Sequence, residues 1–519
     1  MANNKRLIAK INFPDGKIII VDNNLLSVEF GALDRGSLTD VIDWGIYANR
    51  GSLSFIDNIG YFNNANINSS QIKNAKVQIY LKKNEEKLLA TFDVADTNFD
   101  DATRQVDIEL QSHLLSWQNI YTEKSYWYSS KMSYSVFEEI FNDLGVEIYA
   151  PEYSSWAKMR LSGVYVPVNT KLWDFALSFC QVEMVRIFEN ANGSAKILPI
   201  SKTPIIVDIN NVINFSNSNF VSIPNATIDV TNRSVFTNRV YSETITSLNL
   251  TEILLVGDLK NNVYTDESLT VTFSDWKTIA TMEYRTVKIE KTFNLPYKVF
   301  NASLGTLGNQ QTLQNGATTA EHITLPITSS NISTSTDHQS LIISFEFQFH
   351  ARTKNLTTGS VTKETIIDRV RFWGGGEFFE DDGYITYKYT TLKNSSYQKI
   401  SSSNLLTKSS SVYGEQQYAY EHILNAVKSK YSQGIDCVEC ECLLNDYIDE
   451  MGNVALRGNE LEHFNSTNYN IVIPYTVSGT TRKPLRTNLD GTPKQFRVIG
   501  ISYSYAGHLT QKLHLQEER

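Results

Sequence analysis

Residues 161–200, LSGVYVPVNTKLWDFALSFCQVEMVRIFENANGSAKILPI, constrain the fold more than any other stretch of the chain. One short window reads strand, helix, strand, tight turn, strand. Leu161, Val164, Tyr165, Val166 and Val168 form a β-prone run that Pro167 places at a sheet edge or a strand end. Asn169 or Thr170 offers a side-chain oxygen to the free amides of a helical first turn. Leu172, Trp173, Ala176, Leu177, Cys180 and Met184 then recur at spacings of three and four, which predicts one buried stripe. Val185, Ile187 and Phe188 restart a strand, Asn192-Gly193 tolerates the positive φ angles of a hairpin turn, and residues 195–200 run back. Strand-like patterns flank the unit on both sides, so its helix is expected to be the plug against which two β regions are arranged.

A chain of 519 residues is too long for one ordinary core and predicts three or four domains. Hydrophobic residues at 41% and charged residues at 20% describe a folded protein. The net charge of −9 argues against a DNA-wrapping or polybasic membrane surface, and suits a surface along which a polyanion slides without sticking. Four cysteines are too few for a disulfide scaffold. The first residues lack the apolar core of a secretion signal, and no apolar run approaches the ~20 residues of a membrane helix. Synthesis in a cytoplasm is therefore expected.

Along the chain, residues 7–13 and 17–21 flank Pro14-Asp15-Gly16 as a hairpin. Further strands are expected at 25–30, 44–47, 51–57, 75–81, 87–95 and 105–110, with a loop-like or weakly helical 31–43, giving a small barrel or sandwich over residues 1–112. Residues 134–144 carry Val136, Phe137, Ile140, Phe141 and Leu144 on one helical face, stopped by Gly145, and with the 161–200 unit they make an α/β middle domain over 113–200. Strands return at 204–209, 226–230 and 238–244. The polar, turn-rich block 251–408 has its clearest strands at 269–273, 283–290, 341–350, 366–373 and 384–389. In the third of these, 341–350, Ile343, Phe345, Phe347 and Phe349 alternate with polar neighbours. Ser401-Ser402-Ser403 and Ser409-Ser410-Ser411 read as its exit. Residues 413–431 form the longest helical pattern, striped by Tyr420, Ile423, Leu424, Val427 and Tyr431 and ended by Gly434. Strands close the chain at 435–443, 469–475, 495–505 and 511–516, the last two pairing across Ala506-Gly507-His508.

Residues with chemical potential are few. Cys437, Cys440 and Cys442 look metal-like, but on a strand Cys437 faces away from the other two, and no second pair follows, so packing as small hydrophobes is the expectation. Glu380-Asp381-Asp382-Gly383 lacks the alternating acids of a calcium loop and reads as a solvated turn. Gly374-Gly375-Gly376 has no phosphate-cradle spacing, and neither G-x-S-x-G nor H-E-x-x-H occurs. Trp117, Trp127 and Trp156 suit a sugar platform in principle, and core or interface packing in the first instance. The sequence thus names no catalytic, cofactor-binding or metal-binding residue, and no enzyme is expected.

The order of parts carries a resemblance. A β domain leads into Val166-Pro167-Val168-Asn169-Thr170-Lys171-Leu172-Trp173-Asp174-Phe175-Ala176-Leu177, a hairpin around Ala191-Asn192-Gly193, interrupted strands, and the helix at 413–431. The chain then closes on Phe496-Arg497-Val498-Ile499-Gly500-Ile501-Ser502-Tyr503 and Leu513-His514-Leu515-Gln516. This order resembles the baseplate hub, or tail-associated hub, proteins of tailed bacteriophages and related contractile injection machines. The resemblance implies a virion structural protein of the tail with two tail-tube-like β-barrels: residues 1–112, and 201–250 with 409–519, the block 251–408 being an inserted β-sandwich-like domain. It implies a trimer that continues the tail tube and passes DNA through its lumen without specific binding. Its neighbours would be a tail tube or distal tail protein and a spike, tip or tape-measure protein. A carbohydrate-binding receptor protein of the tail and a cell-wall hydrolase are the competing readings.

Overall fold

In the computed structural model of the chain, the described residues are 6–33, 42, 44–63, 66–67, 69–82, 86–129, 131–148, 159–161, 163–198, 204–206, 212–240, 269–275, 277–279, 282–294, 298–304, 308–315, 319–323, 327–354, 361–371, 374–393, 396–409, 419–443, 470–472, 474–476, 482–484, 490 and 494–518. Among them the protein is mainly β with a smaller helical part, as the strand-like patterns predict.

The opening hairpin pairs Arg6–Asn12 with Ile18–Val21, and Gly16, at φ 87°, makes its turn. Strands Leu25–Leu33, Arg50–Ile56, Lys76–Lys82, Glu86–Asp100 and Gln105–Gln111 follow close to the expected bounds. Each alternates strictly enough that one side is apolar: Leu7, Ala9 and Ile11, then Val28 and Phe30, Leu53 and Phe55, Val77 and Ile79, Val106 and Ile108 all enter one core. That core does not stop at the first domain. Phe496, Ile501, Tyr503, Leu513 and Leu515 belong to it, and the ring of Phe30 stacks on Tyr503 at 5.1 Å.

The shared core reflects a shared sheet. Its strands run in the order Val212–Val221, Ile435–Leu443, Leu509–Glu518, Gln495–Tyr505, Leu25–Leu33, Arg50–Ile56, Gln105–Gln111, Glu86–Asp100, Lys76–Lys82, Arg6–Asn12, Ile18–Val21. The path is open, and no closed barrel forms among the described strands, in contrast to the barrels that the resemblance implies. The reason lies in Leu25–Leu33. Closing the N-terminal strands on themselves would need this strand to meet Ile18–Val21. Instead it spends one edge on Arg50–Ile56 and the other on Gln495–Tyr505, with Glu29 opposite Ser504 and Phe30 opposite Tyr503.

The short Gly45–Tyr47 strand, expected within the first β set, pairs in parallel with Arg186–Glu189 of the 161–200 unit instead. In that unit the helix spans Leu172–Glu183, but neither Asn169 nor Thr170 caps it. Asn169 sits in the left-handed region at φ 61°, and Thr170 Oγ1 donates to the Pro167 carbonyl at 2.7 Å. The first helical amide, Leu172 N, donates to Ile120 O at 2.9 Å, so a tertiary carbonyl supplies what a side-chain cap would have given. The buried face is also turned from the expected one. Leu172, Ala176 and Cys180 are buried as predicted, but Phe175, Phe179 and Val182 join them, and Trp173, Leu177 and Met184 are half-exposed. The helix is apolar almost all round, so periodicity alone does not choose the face. The second helix, Ser133–Asp143, chooses it: Phe137 packs in a tilted arrangement on Phe179 at 4.2 Å and stacks on Phe141 at 3.9 Å. There Val136, Phe137, Ile140 and Phe141 of the predicted stripe are buried and Leu144 is half-buried against them, and Gly145 turns the chain at φ 65°.

The helix at Ala419–Tyr431 buries the predicted Tyr420, Ile423, Leu424, Val427 and Tyr431 against the same core, and Gly434 ends it at φ 82°; residues 413–418 lie outside the described residues. Ala226, Ile228, Val230, Tyr389, Ile400, Leu405 and Leu406 complete this second core. They come from a four-stranded sheet of Lys298–Leu304, Gly374–Thr390, Asn225–Val240 and Gln398–Ser409. Two stretches of this sheet differ from the sequence expectation. Ser401-Ser402-Ser403 lies within Gln398–Ser409, paired in parallel with Asn225–Val240, and is no loop. Glu380-Asp381-Asp382-Gly383 lies within Gly374–Thr390: Glu380 and Asp381 pair with Ser234 and Arg233, and Asp382-Gly383, with Gly383 at φ 94°, bulge opposite Asn232, so the acidic run belongs to a strand and not a turn. A separate eight-stranded sheet is built around the long pair Met282–Asn294 and Ser340–Lys354. On that pair Val287, Ile289, Leu341 and Ile343 are buried; the side chains of Phe345, Phe347 and Phe349 lie outside the described residues.

Candidate functional site: the outer face and open edges of the shared sheet

The alternation that sends apolar residues inward places every second residue of the shared sheet outward, and the register aligns those residues in rows. Thr510 lies opposite Ser504, Ser504 opposite Glu29, Glu29 opposite Ser52, Ser52 opposite Glu109, and Glu109 opposite Asp96. One row of hydroxyls and carboxylates thus crosses six strands drawn from both ends of the chain. The adjacent row runs Ser27, Ser54, Asp107, Asn98. Glu29, Ser52, Glu109 and Asp96 are exposed. Beside them Glu29, Glu439, Glu441, Ser502, Ser504, Thr510 and Lys512 line a shallow cleft of about 340 Å³.

Most cations on this face are matched by carboxylates, exposed Arg50 at the start of Arg50–Ile56 being an exception among the described residues. Lys512 Nζ sits 2.7 Å from Glu439, Lys10 Nζ 2.6 Å from Glu86, Lys82 Nζ 3.0 Å from Asp22, and Lys76 pairs with Asp93. Asp93 also accepts from His113 Nδ1 at 3.1 Å. Burial pushes the Asp93 carboxyl up, but the hydrogen bonds from His113 and Lys76 outweigh it and hold the group below the usual carboxylate range. The bond to Asp93 in turn raises the His113 imidazole against the opposing pull of burial. The net field over the row is therefore negative, set by Glu29, Glu109 and Asp96, which form no ion pair among the described residues. Such a surface repels phosphate.

The two ends of the sheet path are the other candidate feature. Ile18–Val21 pairs only with Arg6–Asn12, and Val212–Val221 only with Ile435–Leu443, among the described strands. Ile19 and Val21 point into the core, whereas Ile18 and Ile20 are 56% and 59% exposed. At the other end Phe220 is 63% exposed. Unpaired edges that also carry bare apolar side chains are templates for another chain.

The residues singled out in the sequence go elsewhere. Trp117 is fully buried, edge-to-face with Phe141 at 5.2 Å. Trp127 stacks on Phe300 at 4.4 Å and on Phe379 at 4.7 Å, binding the middle unit to the four-stranded sheet rather than presenting a flat face to a sugar. Trp156 lies outside the described residues. Cys437 is a buried thiol opposite Gln516, and the side chains of Cys440 and Cys442 lie outside the described residues. Nothing distinguishes Glu29 or Glu109 in sequence from any solvent-facing strand position. Only the pairing of Leu25–Leu33 with Gln495–Tyr505 brings them into one line with Ser504.

No protein-family model matches the chain, and no curated protein matches it. Among solved structures, the chain is similar to the 43 kDa tail protein of prophage MuSo2 from Shewanella oneidensis, with a TM-score of 0.41 and 7% identity over 98% of this chain and 98% of that one. It is similar to the tail protein from Neisseria meningitidis MC58, with a TM-score of 0.40 and 7% identity over 99% and 97%. It is also similar to prophage tail protein gp18 from Listeria monocytogenes EGD-e, with a TM-score of 0.38 and 8% identity over 98% and 94%.

Proposed function

We propose that the chain is a structural subunit of a bacteriophage tail, the hub of its tip or baseplate, and that three copies join into a ring that continues the tail tube. The observation that carries this reading is the single open sheet that runs from the N-terminal strands into the C-terminal ones, with an acidic, hydroxyl-rich outer face and, among the described strands, a strand with one free edge at each end. A lone subunit leaves both edges exposed. A head-to-tail ring satisfies them, because the same two unlike edges meet at every junction and the rotation closes. The acidic face then lines the channel, where DNA phosphates are kept moving by repulsion. A tail tube or distal tail protein would sit on one side of the ring, and a spike, tip or tape-measure protein on the other. The role is structural rather than catalytic, and the place of action is the virion.

Sedimentation velocity at micromolar concentration tests this. The expected species has the mass of three 58.8 kDa chains. The double variant Ile18→Lys, Ile20→Lys, which alters only exposed positions of the edge strand, is expected to sediment as a monomer with an unchanged melting curve. A wild-type chain that stays monomeric even beside neighbouring tail proteins contradicts the reading.

A further inference from the structure

The hairpin Arg186–Glu189 with Ala195–Leu198 does more than close the middle unit: its turn lies on the first sheet. Thr91 Oγ1 donates to Ala191 O at 2.8 Å, and a Cβ at Gly193 would lie 3.5 Å from the Thr91 side chain. The turn thus borders a cavity of about 420 Å³ whose wall includes Lys76, Asp93, His113 and Asn192. The chain enters the middle unit at the same place. Ser112 N donates to Asn49 O at 2.8 Å, and the 3-10 turn His113–Asn119 begins there.

Glu189 stands at the centre of this junction, 5% exposed. Its Oε1 accepts from Leu114 N at 3.2 Å, and the Ser112 hydroxyl and the His113 backbone amide also favour the charged carboxylate, though burial outweighs all three. Its Oε2 is buried with no hydrogen-bond partner. A carboxylate whose second oxygen is stripped of water and given nothing in return destabilises the closed junction whenever it is charged.

We propose that this junction is a proton-controlled joint between the first sheet and the middle unit, and that the charge of Glu189 decides how firmly it closes. Protonated, Glu189 keeps its bond from Leu114 and removes the buried charge. Ionised, it favours an opened state in which the carboxylate reaches water. The other charged groups around it are accounted for. His113 faces it from the 3-10 turn and is tied to Asp93, which also holds Lys76. On the hairpin, Arg186 lies over the Tyr47 ring at 5.5 Å, and Lys196 is opposite Phe188. Burial pushes the Glu189 carboxyl up to about 7, from an ordinary 4.5 that an opened joint restores.

The sign follows from proton counting. The closed state holds more protons between pH 4.5 and 7, so closure is firmest at low pH and weakens as pH rises through 7. His113, also raised in the closed state, acts in the same direction; Asp93, lowered, titrates below this range.

Amide hydrogen exchange on the full chain at pH 6 and pH 8, corrected for intrinsic rates, tests the joint. Peptides covering residues 112–119 and 186–198 are expected to open about tenfold more often at pH 8, and a peptide from 419–431 to be unaffected. Glu189→Gln should remove most of that rise, and adding His113→Asn the remainder. Equal protection of the wild-type junction at the two pH values overturns the proposal without recourse to any variant. So does a full tenfold rise retained in Glu189→Gln.

Discussion

Glu29 shows how much a single residue's meaning depends on its neighbours across a sheet. Alone it is an exposed carboxylate on a strand; opposite Ser504 and Ser52, and in line with Glu109 and Asp96, it is part of a wall. Changing Glu29, Glu109 and Asp96 together to lysine replaces three negative charges with three positive ones at exposed positions. Wild-type protein is expected not to retard duplex DNA at 50 mM salt, whereas the triple variant binds it, with affinity that falls steeply as salt rises. Tight, salt-insensitive DNA binding by the wild type contradicts the charge argument. Gly51 matters for a steric reason. A Cβ there would lie 2.5 Å from Glu29 O and 2.8 Å from Phe30 Cβ, so Gly51→Ala pushes Arg50–Ile56 off Leu25–Leu33. We expect a loss of about 1–3 kcal/mol in thermal or denaturant melts, with Ser52→Ala near neutral.

Elements, unlike single residues, were largely legible from the sequence where periodicity and a stop signal agreed. The Ser133–Asp143 helix has its stripe and Gly145; the Gln495–Tyr505 and Leu509–Glu518 hairpin has its alternation and Gly507. Legibility failed where tertiary partners replaced local chemistry. Ile120 O took over the cap role from Asn169 and Thr170, and Phe137 picked the face of the Leu172–Glu183 helix. Polar strands also escaped notice: Val212–Val221 and the serine-rich Gln398–Ser409 look like loops by composition, and only pairing with Ile435–Leu443 and Asn225–Val240 makes them strands. The aromatic clasp is a further case. Trp127, Tyr165, Phe300 and Phe379 come from four separate strands and meet between the middle unit and the four-stranded sheet, with Lys298 Nζ 4.0 Å from the Tyr165 ring centre and Arg233 donating to Gly163 O at 2.5 Å. Trp127→Ala removes the ring that stacks on both phenylalanines. It should cost about 3–5 kcal/mol of local stability, read as faster amide exchange in Lys298–Leu304 and at 335–340. Exchange at Leu25–Leu33 should not change. Uniform loosening across the chain, or none at all, contradicts a local clasp.

For the whole molecule, the sequence conveyed that β regions lie on both sides of a helical middle, but not that they join. The joining pair, Leu25–Leu33 with Gln495–Tyr505, is a contact between the two ends of the chain that no local signal announces, because each strand carries the same alternation whichever neighbour it has. It turns two expected closed units into one open sheet, and moves the question of closure from the subunit to the assembly. The most direct measurement is an electron-microscopic reconstruction of the assembled protein. The account predicts three subunits around a central channel, Ile18–Val21 of each lying at a subunit junction, and Glu29, Glu109 and Asp96 facing the lumen. Those carboxylates pointing to the outside of a ring, or particles that are single subunits without a channel, contradict it.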